Sequence, residues 1–391
     1  MEKKLKIFSF IFLTIFFIGG MLSSSLQYVG VFPLLISAIY LIIKKRKQVI
    51  DKNFWIYLTI FLLISFSFYL GYSKVIDKTD FIKEAQKYWG SFLLFIVAYI
   101  FIKSKHISLK KIQKLFIIGI ILTSIKGLVQ LCLIAFKTNT VERLNTPLGM
   151  SNNYASILII GILILFYNIY NNEYLTTKYG DISILAFFLV NLYLTESLGA
   201  IISFGMAILI FLFFKRRKVN FANVIVFVLL ISLIAGTILF LFTERVMDYN
   251  NRRRCGLLRG YYNLSRDNII TGVGLNQTEL HYDEWKTPLP FQNEFEYAPN
   301  YDAHNFILQW IAENGIVSFI ILAFFLIYYY INNFKKFSPH YGILLGTIAF
   351  LIHALFSNNF HIIRLMMYFW FFMGSYEAYK SKLKRSNYGK K

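Results

Sequence analysis

Long apolar stretches separated by short polar runs recur along almost the whole chain. A helix that crosses a membrane needs about 20 mainly apolar residues. Such stretches lie near 5–23, 27–43, 54–72, 88–102, 113–136, 150–170, 180–196, 197–214, 221–243, 303–331, 340–357 and 362–379. The pattern predicts an all-α fold, a polytopic integral membrane protein of about 12 transmembrane helices. Residues 180–214 are too long for one such helix and slightly short for two. Lys178 and the basic run at 215–218 want the same side, so the segment must turn back at Thr195-Glu196-Ser197-Leu198-Gly199. Eighteen helical residues rise about 27 Å, a little less than the hydrocarbon thickness. The turn is therefore expected at or just below the outer surface, in the wall of an outward-open cavity, where non-helical backbone is tolerated.

The polar connections are very unequal. Most are short, but one runs from Glu244 to Asp302 and holds most of the remaining polar chemistry. The expected organisation is nine N-terminal helices (1–243), one large extracytoplasmic loop (244–302), and three C-terminal helices with a basic cytoplasmic tail (303–391). No internal repeat is visible, whereas secondary transporters usually show matching halves. That asymmetry counts against transport.

Composition agrees and excludes other classes. Apolar residues make up 57% and charged residues 16%, against about a quarter charged in soluble domains. A water-soluble globular protein, a disordered chain and a nucleic-acid binder are excluded. The net charge of +21 comes from runs such as Lys44–Lys47, Lys103–Lys114 and Lys380–Lys391. Under the positive-inside rule these are cytoplasmic, which puts both termini in the cytoplasm. Cys132 and Cys255 are too few for a disulfide framework and are expected to be free thiols.

Within the large loop, residues 252–264 read as a short amphipathic helix. Leu257, Leu258, Tyr261 and Leu264 share one face, while Arg252, Arg253, Arg254 and Arg259 crowd the rest. Four arginines on the outer side of a membrane run against the usual charge bias. Guanidinium groups bind phosphate oxygens bidentately, so a phosphate-bearing ligand is one explanation and an interfacial, headgroup-binding helix is the other. Gly272-Val273-Gly274 marks a turn after it. His304-Asn305 stands where the loop meets the next apolar stretch, with Leu308, Glu313 and Gly315 following on a helical face. That glycine would let a neighbouring helix approach beneath the histidine. An imidazole there can act as a general base near neutral pH, or simply be a water-exposed residue at a helix start.

Other polar positions carry less. Arg143 precedes Pro147, Gly149 and Asn152-Asn153; Lys126 falls near the middle of the fifth stretch and is either functional by its depth or paired with Glu196. His361 and Arg364 fit snorkelling at the outer end of the last stretch, and His353 fits a satisfied buried histidine. The loop aromatics Tyr282, Trp285, Phe291, Phe295, Tyr297 and Tyr301 could form a sugar-stacking platform. No Asp-x-Asp pair, metal-spaced Cys/His cluster, Walker loop or Gly-x-Ser-x-Gly elbow occurs, so no cofactor and no metal are expected.

Taken together, several of these positions resemble the O-antigen ligase and O-antigen polymerase superfamily of bacterial envelope enzymes. The family pattern His-Asn-x-x-Leu-x-x-x-x-Glu-x-Gly is matched by His304, Asn305, Leu308, Glu313 and Gly315. Arg254 stands about as far before Gly272-Val273-Gly274 as the family's arginine does, and Arg143, Gly149 and Asn152 or Asn153 resemble its Arg…Gly…Asn signature. One departure is Ser197-Leu198, where the family commonly has Ser-Arg. The resemblance implies a glycosyltransferase of surface polysaccharide and lipopolysaccharide biosynthesis in the bacterial cytoplasmic (inner) membrane. Its donor would be a polyprenyl-diphosphate-linked oligosaccharide, with His304 and Arg254 catalytic. Arg143, Arg252, Arg253, Arg259, Asn305, Lys126 and Glu196 would contact the lipid diphosphate or glycan. Partners would be the lipid bilayer, a chain-length regulator and a flippase, and not nucleic acid. Leu198 favours a polymerase of repeat units over a ligase to lipid A core; a lipid-linked-sugar flippase is the reading from another class.

Overall fold

The computed structural model describes residues 2–138, 143–216, 249–287, 302–334 and 338–388. The ninth apolar stretch, 221–243, lies outside them, as do Phe291, Phe295, Tyr297 and Tyr301. Among the described residues the fold is all-helical, with a single isolated bridge, Thr146 to Gly149, and no strand. Helices are numbered in chain order: α1 Glu2–Leu22, α2 Ser24–Lys44, α3 Lys52–Lys74, α4 Lys78–Lys103, α5 Leu109–Thr138 and α6 Ser151–Tyr170. Then come α7 Lys178–Leu194, α8 Leu198–Arg216, α9 Tyr249–Asp267, α10 Phe306–Phe334, α11 Tyr341–His353 and α12 Ile363–Tyr388.

Seven of these, α1 to α6 and α10, are long and apolar enough to cross a membrane. Twelve were expected. The apolar parts of α8 (Leu198–Phe214) and α11 (Tyr341–His353) are shorter, and α11 stops where Ser357, Asn358 and Asn359 favour turns over helix. Large side chains such as Phe32, Phe66, Phe136 and Phe324 point outward, exposed, from α2, α3, α5 and α10. An apolar outer surface of this kind is stable against hydrocarbon and not against water.

The interior is built on close helix pairs. Along α12, Gly374 sits so near α4 that a Cβ would lie 2.1 Å from the Phe95 carbonyl oxygen. Gly342 of α11 approaches the Leu163 carbonyl of α6 in the same way, at 2.6 Å. Small residues let membrane helices gain dispersion contact where no hydrophobic drive exists. Aromatic rings fill the centre: Phe61 stacks on Phe92 at 5.3 Å and meets Trp370 edge-on at 5.6 Å. At the basic end, Asp51 caps α3 through the Phe54 amide and is held by Lys103 Nζ at 2.6 Å and Tyr99 at 2.7 Å. The largely buried Lys103 therefore keeps both a counter-charge and hydrogen bonds.

The expected reversal between α7 and α8 is present. Only Thr195, Glu196 and Ser197 separate the two helices, and Glu196 takes a left-handed φ of 51°. The amphipathic helix is present too, and longer than its pattern. Leu257, Tyr261 and Leu264 of α9 pack with Val273, Trp285, Ala303 and Ala312 in a small second core, with Leu308 at its edge.

Candidate functional site

The site is organised by a break in α10. Gly315 has φ 75° and ψ 170° inside an otherwise continuous helix, a conformation open essentially to glycine alone. The break frees carbonyls that the loop then uses: the Val273 amide donates to Ala312 O at 2.9 Å and the Gly274 amide to Glu313 O at 2.8 Å. Just beyond, the Ile316 amide donates to Ile269 O at 2.7 Å. Gly272, at φ 69°, completes the joint, because a Cβ there would lie 2.3 Å from Glu313 O. The glycine about three turns after the histidine thus admits no neighbouring helix, contrary to expectation. It lets the turn at 269–274 lock onto a broken helix, which fixes α9 against the start of α10. Ser265 adds a hydrogen bond to Leu308 O at 3.2 Å.

Asn305 caps α10. Its side-chain oxygen accepts from the Ile307 and Leu308 amides, both at 3.1 Å, and its amide nitrogen donates to Leu355 O at 3.2 Å. Both ends of the side chain therefore hold the helix start in place. Beside it, His304 has a left-handed φ of 52°. Its Nδ1 is buried, and among the described residues no hydrogen bond reaches it. Burial first, and then the positive charge of Arg254, hold the imidazole below its ordinary value; Asp302 opposes them. The ring is therefore kept neutral and able to take a proton.

Arg254 is half-buried, and its guanidinium is depressed by burial and then by Arg143. Guanidinium does not lose its proton in proteins, so the physical content is a pair of like charges near one another, Arg254 half-buried and Arg143 more exposed with Glu196 as its distant counter-charge. Such a pair is relieved by an anion. Arg143 itself is fixed by its Nε and Nη2, which donate to Thr195 O at 3.0 and 2.9 Å in the α7–α8 turn. Glu196 Oε2 lies 3.9 Å from Arg143. The turn is pinned from its other side by Ser197, 3.4 Å from His353 Nε2, while Ser156 meets His353 Nδ1 at 2.8 Å. His353 is accordingly a buried histidine with both nitrogens engaged.

The other expected site residues are not all gathered here. Arg253 is partly buried on α9, whereas Arg259 is exposed there; Arg252 lies within α9. Lys126 is exposed on α5 and Glu196 faces Arg143, so the proposed Lys126–Glu196 pair is replaced by another. Arg364 does not snorkel: its Nη2 donates to Pro147 O at 2.6 Å, tying α12 to the segment after Arg143. Cys132 and Cys255 are both free and exposed.

Sequence reading missed a polar network centred on Asp302, two residues before His304. Gln309 Nε2 donates to Asp302 Oδ1 at 2.9 Å and to Glu313 Oε1 at 3.1 Å, and Asn358 donates to Asp302 Oδ2 at 2.6 Å. Tyr88 meets His361 Nδ1 at 2.9 Å. The available signal was Gln309 and Glu313 four residues apart in an apolar stretch, which places both on one helix face.

No curated protein matches the chain. A match to a family covers α7, α8, α9 and the His304–Gly315 motif, roughly a third of the chain, and stops short of Arg143. Residues 183–323 match the family model described as O-antigen ligase, the same group of envelope proteins that the motifs of this chain resemble.

Proposed function

We propose that the protein is a glycosyltransferase of the bacterial cytoplasmic membrane that joins lipid-diphosphate-linked oligosaccharide repeat units into surface polysaccharide. The observation that carries this reading is the charge of Arg254 acting on the half-buried His304, with Arg143, held on the α7–α8 turn, acting in turn on Arg254. His304 takes the proton of the acceptor hydroxyl as its oxygen attacks the anomeric carbon. The bond from that carbon to the diphosphate oxygen breaks, and the departing diphosphate is stabilised by the two arginines. Positioned cations of this kind supply the largest single term in many such reactions. A diphosphate leaves without protonation, so the site needs a base and cations and no acid.

The test is turnover of a synthetic lipid-linked repeat unit by the purified protein. Arg254→Ala is expected to reduce transfer by ~10²–10³-fold, the loss typical of one charge-stabilising group. Arg254→Lys is expected to restore only part of it, because an ammonium lacks the bidentate fork. Full activity in Arg254→Ala would end the diphosphate assignment. Leu198 at the α7–α8 turn, where the family commonly has arginine, favours polymerase over ligase; the description of the matching family favours the ligase. Deletion separates them. A polymerase mutant keeps a single repeat unit on the final acceptor, and a ligase mutant accumulates polymer on the carrier lipid.

In this reading α9 and the segment 244–302 face outward, and both termini face the cytoplasm. Cys255 is exposed on α9, so in a Cys132→Ser background it is expected to react with an impermeant thiol reagent in spheroplasts. A cysteine in place of Lys47 in a chain without Cys132 and Cys255 is expected to stay unlabelled. Equal labelling of the two would overturn the topology.

A further inference from the structure

Next to the arginine-flanked histidine lies a cavity of opposite character. It is lined by Glu84, Asp302, Gln309, Glu313 and His361, with Tyr88 at one side, and has a volume of about 390 Å³ including its open mouth. Its enclosed part is only about 110 Å³, below the ~300–1,000 Å³ of small-molecule pockets, so a sugar ring would sit partly in the open mouth. Three carboxyl groups face it. The donors around it are already committed: Gln309 Nε2 is shared between Asp302 and Glu313, and Asn358 Nδ2 is spent on Asp302. What remains are carboxyl oxygens and one imidazole nitrogen. His361, with a side chain only 9% exposed, keeps its Nε2 buried without a hydrogen bond among the described residues, the Phe306 backbone lying nearby.

The carboxyl groups of Glu84 and Asp302 disfavour an anion. A metal ion does not fit either, since no three His, Cys, Asp or Glu side chains among the described residues are arranged to hold one. A ligand rich in hydroxyl donors does fit. His304 thus feels Arg254 and Asp302 in opposite senses, and Asp302 is shared between His304 and the cavity. We propose that the cavity formed by Glu84, Asp302, Gln309, Glu313 and His361 is the acceptor-sugar subsite, in which sugar hydroxyls donate to the carboxylates and present the attacking hydroxyl to His304. This deepens the transferase reading and rests on it, but its binding step can be tested without transfer.

The probes are the lipid-free oligosaccharide released by mild acid from the host's own lipid-linked glycan, and inorganic diphosphate. Both are titrated into the full-length protein in nanodiscs, with saturation-transfer NMR for the sugar and calorimetry for the diphosphate. Glu84→Gln and Glu313→Gln are expected to weaken the oligosaccharide at least about tenfold, as befits loss of hydrogen bonds to charged groups, and to leave diphosphate affinity unchanged. Arg254→Ala is expected to do the reverse. Glu84 is partly exposed and paired with Lys87 at 2.6 Å, so its variant keeps the test open should Glu313→Gln fail to fold. No oligosaccharide binding to the parent protein, or binding that both carboxylate variants leave intact, overturns the subsite. Oligosaccharide binding that behaves as expected without any transfer or diphosphate binding overturns the transferase reading and leaves the sugar site standing.

Discussion

His304→Asn is expected to lower glycan transfer by ~10²–10⁴-fold, roughly 3–5 kcal/mol of barrier, the contribution of a general base. Asparagine is the informative replacement, because it tolerates the left-handed φ of 52° that would strain most other residues. Folding should survive, since the buried Nδ1 makes no hydrogen bond with the described residues, and an unchanged melting curve in detergent would check it. The pH profile adds a second reading. Burial and Arg254 hold His304 below its ordinary value of 6.5, so the neutral, active form is kept well into mild acid. The parent protein should lose kcat/KM only as pH falls through an apparent pKa under about 6.5. Arg254 disfavours the imidazolium, so Arg254→Gln should move that acid limb upward while lowering the plateau. An acid limb that stays in place, or near-normal turnover by His304→Asn, would remove His304 from the base role.

Gly315→Ala is expected to have the largest effect on stability. Its φ of 75° with ψ 170° lies in a region costing a side chain ~1–3 kcal/mol. The new Cβ would also stand 2.2 Å from Ile270 O, a contact that forces the turn at 269–274 off α10. The Val273 and Gly274 amides would then lose Ala312 O and Glu313 O, and unmade buried hydrogen bonds add about 1–3 kcal/mol each. A melting temperature lowered by several degrees, with transfer lost alongside, is the expected outcome. Gly90→Ala is the matching control. It lies in α4 with open space where its Cβ would go, and should be neutral or slightly stabilising. A Gly315→Ala protein that melts with the parent would mean the helix break is dispensable.

The two glycines show why a motif can be visible before its purpose is. Gly272 and Gly315 were each legible in the sequence, one as a turn and the other as a close approach. Neither reading joined them, because their Cβ positions are each filled by the other's segment, 43 residues away. Asn305 is similar. Its place beside His304 suggests a binding role, and the fold adds a second one: its side chain caps α10 and reaches Leu355. Its neighbours along the helix could have shown the cap, but the Leu355 partner could not be foreseen.

Local properties decided most of the fold. Apolar runs fixed the positions of the helices, since backbone polar groups away from water must be satisfied within each segment. The charges around 178 and 215–218 fixed the reversal at Thr195–Ser197, and the spacing of Leu257, Tyr261 and Leu264 fixed the buried face of α9. Tertiary packing decided what the polar residues do. It set Arg143 on the α7–α8 turn, brought its charge against Arg254 and that of Arg254 against His304, and turned Arg364 inward to Pro147 O. It also drew Glu84, Asp302, Glu313 and His361 from three separate segments around one cavity. Periodicity along the chain shows which face of a helix is apolar. It carries no information on which distant segment supplies the partner of a buried charge, and that pairing is settled only when the helices pack.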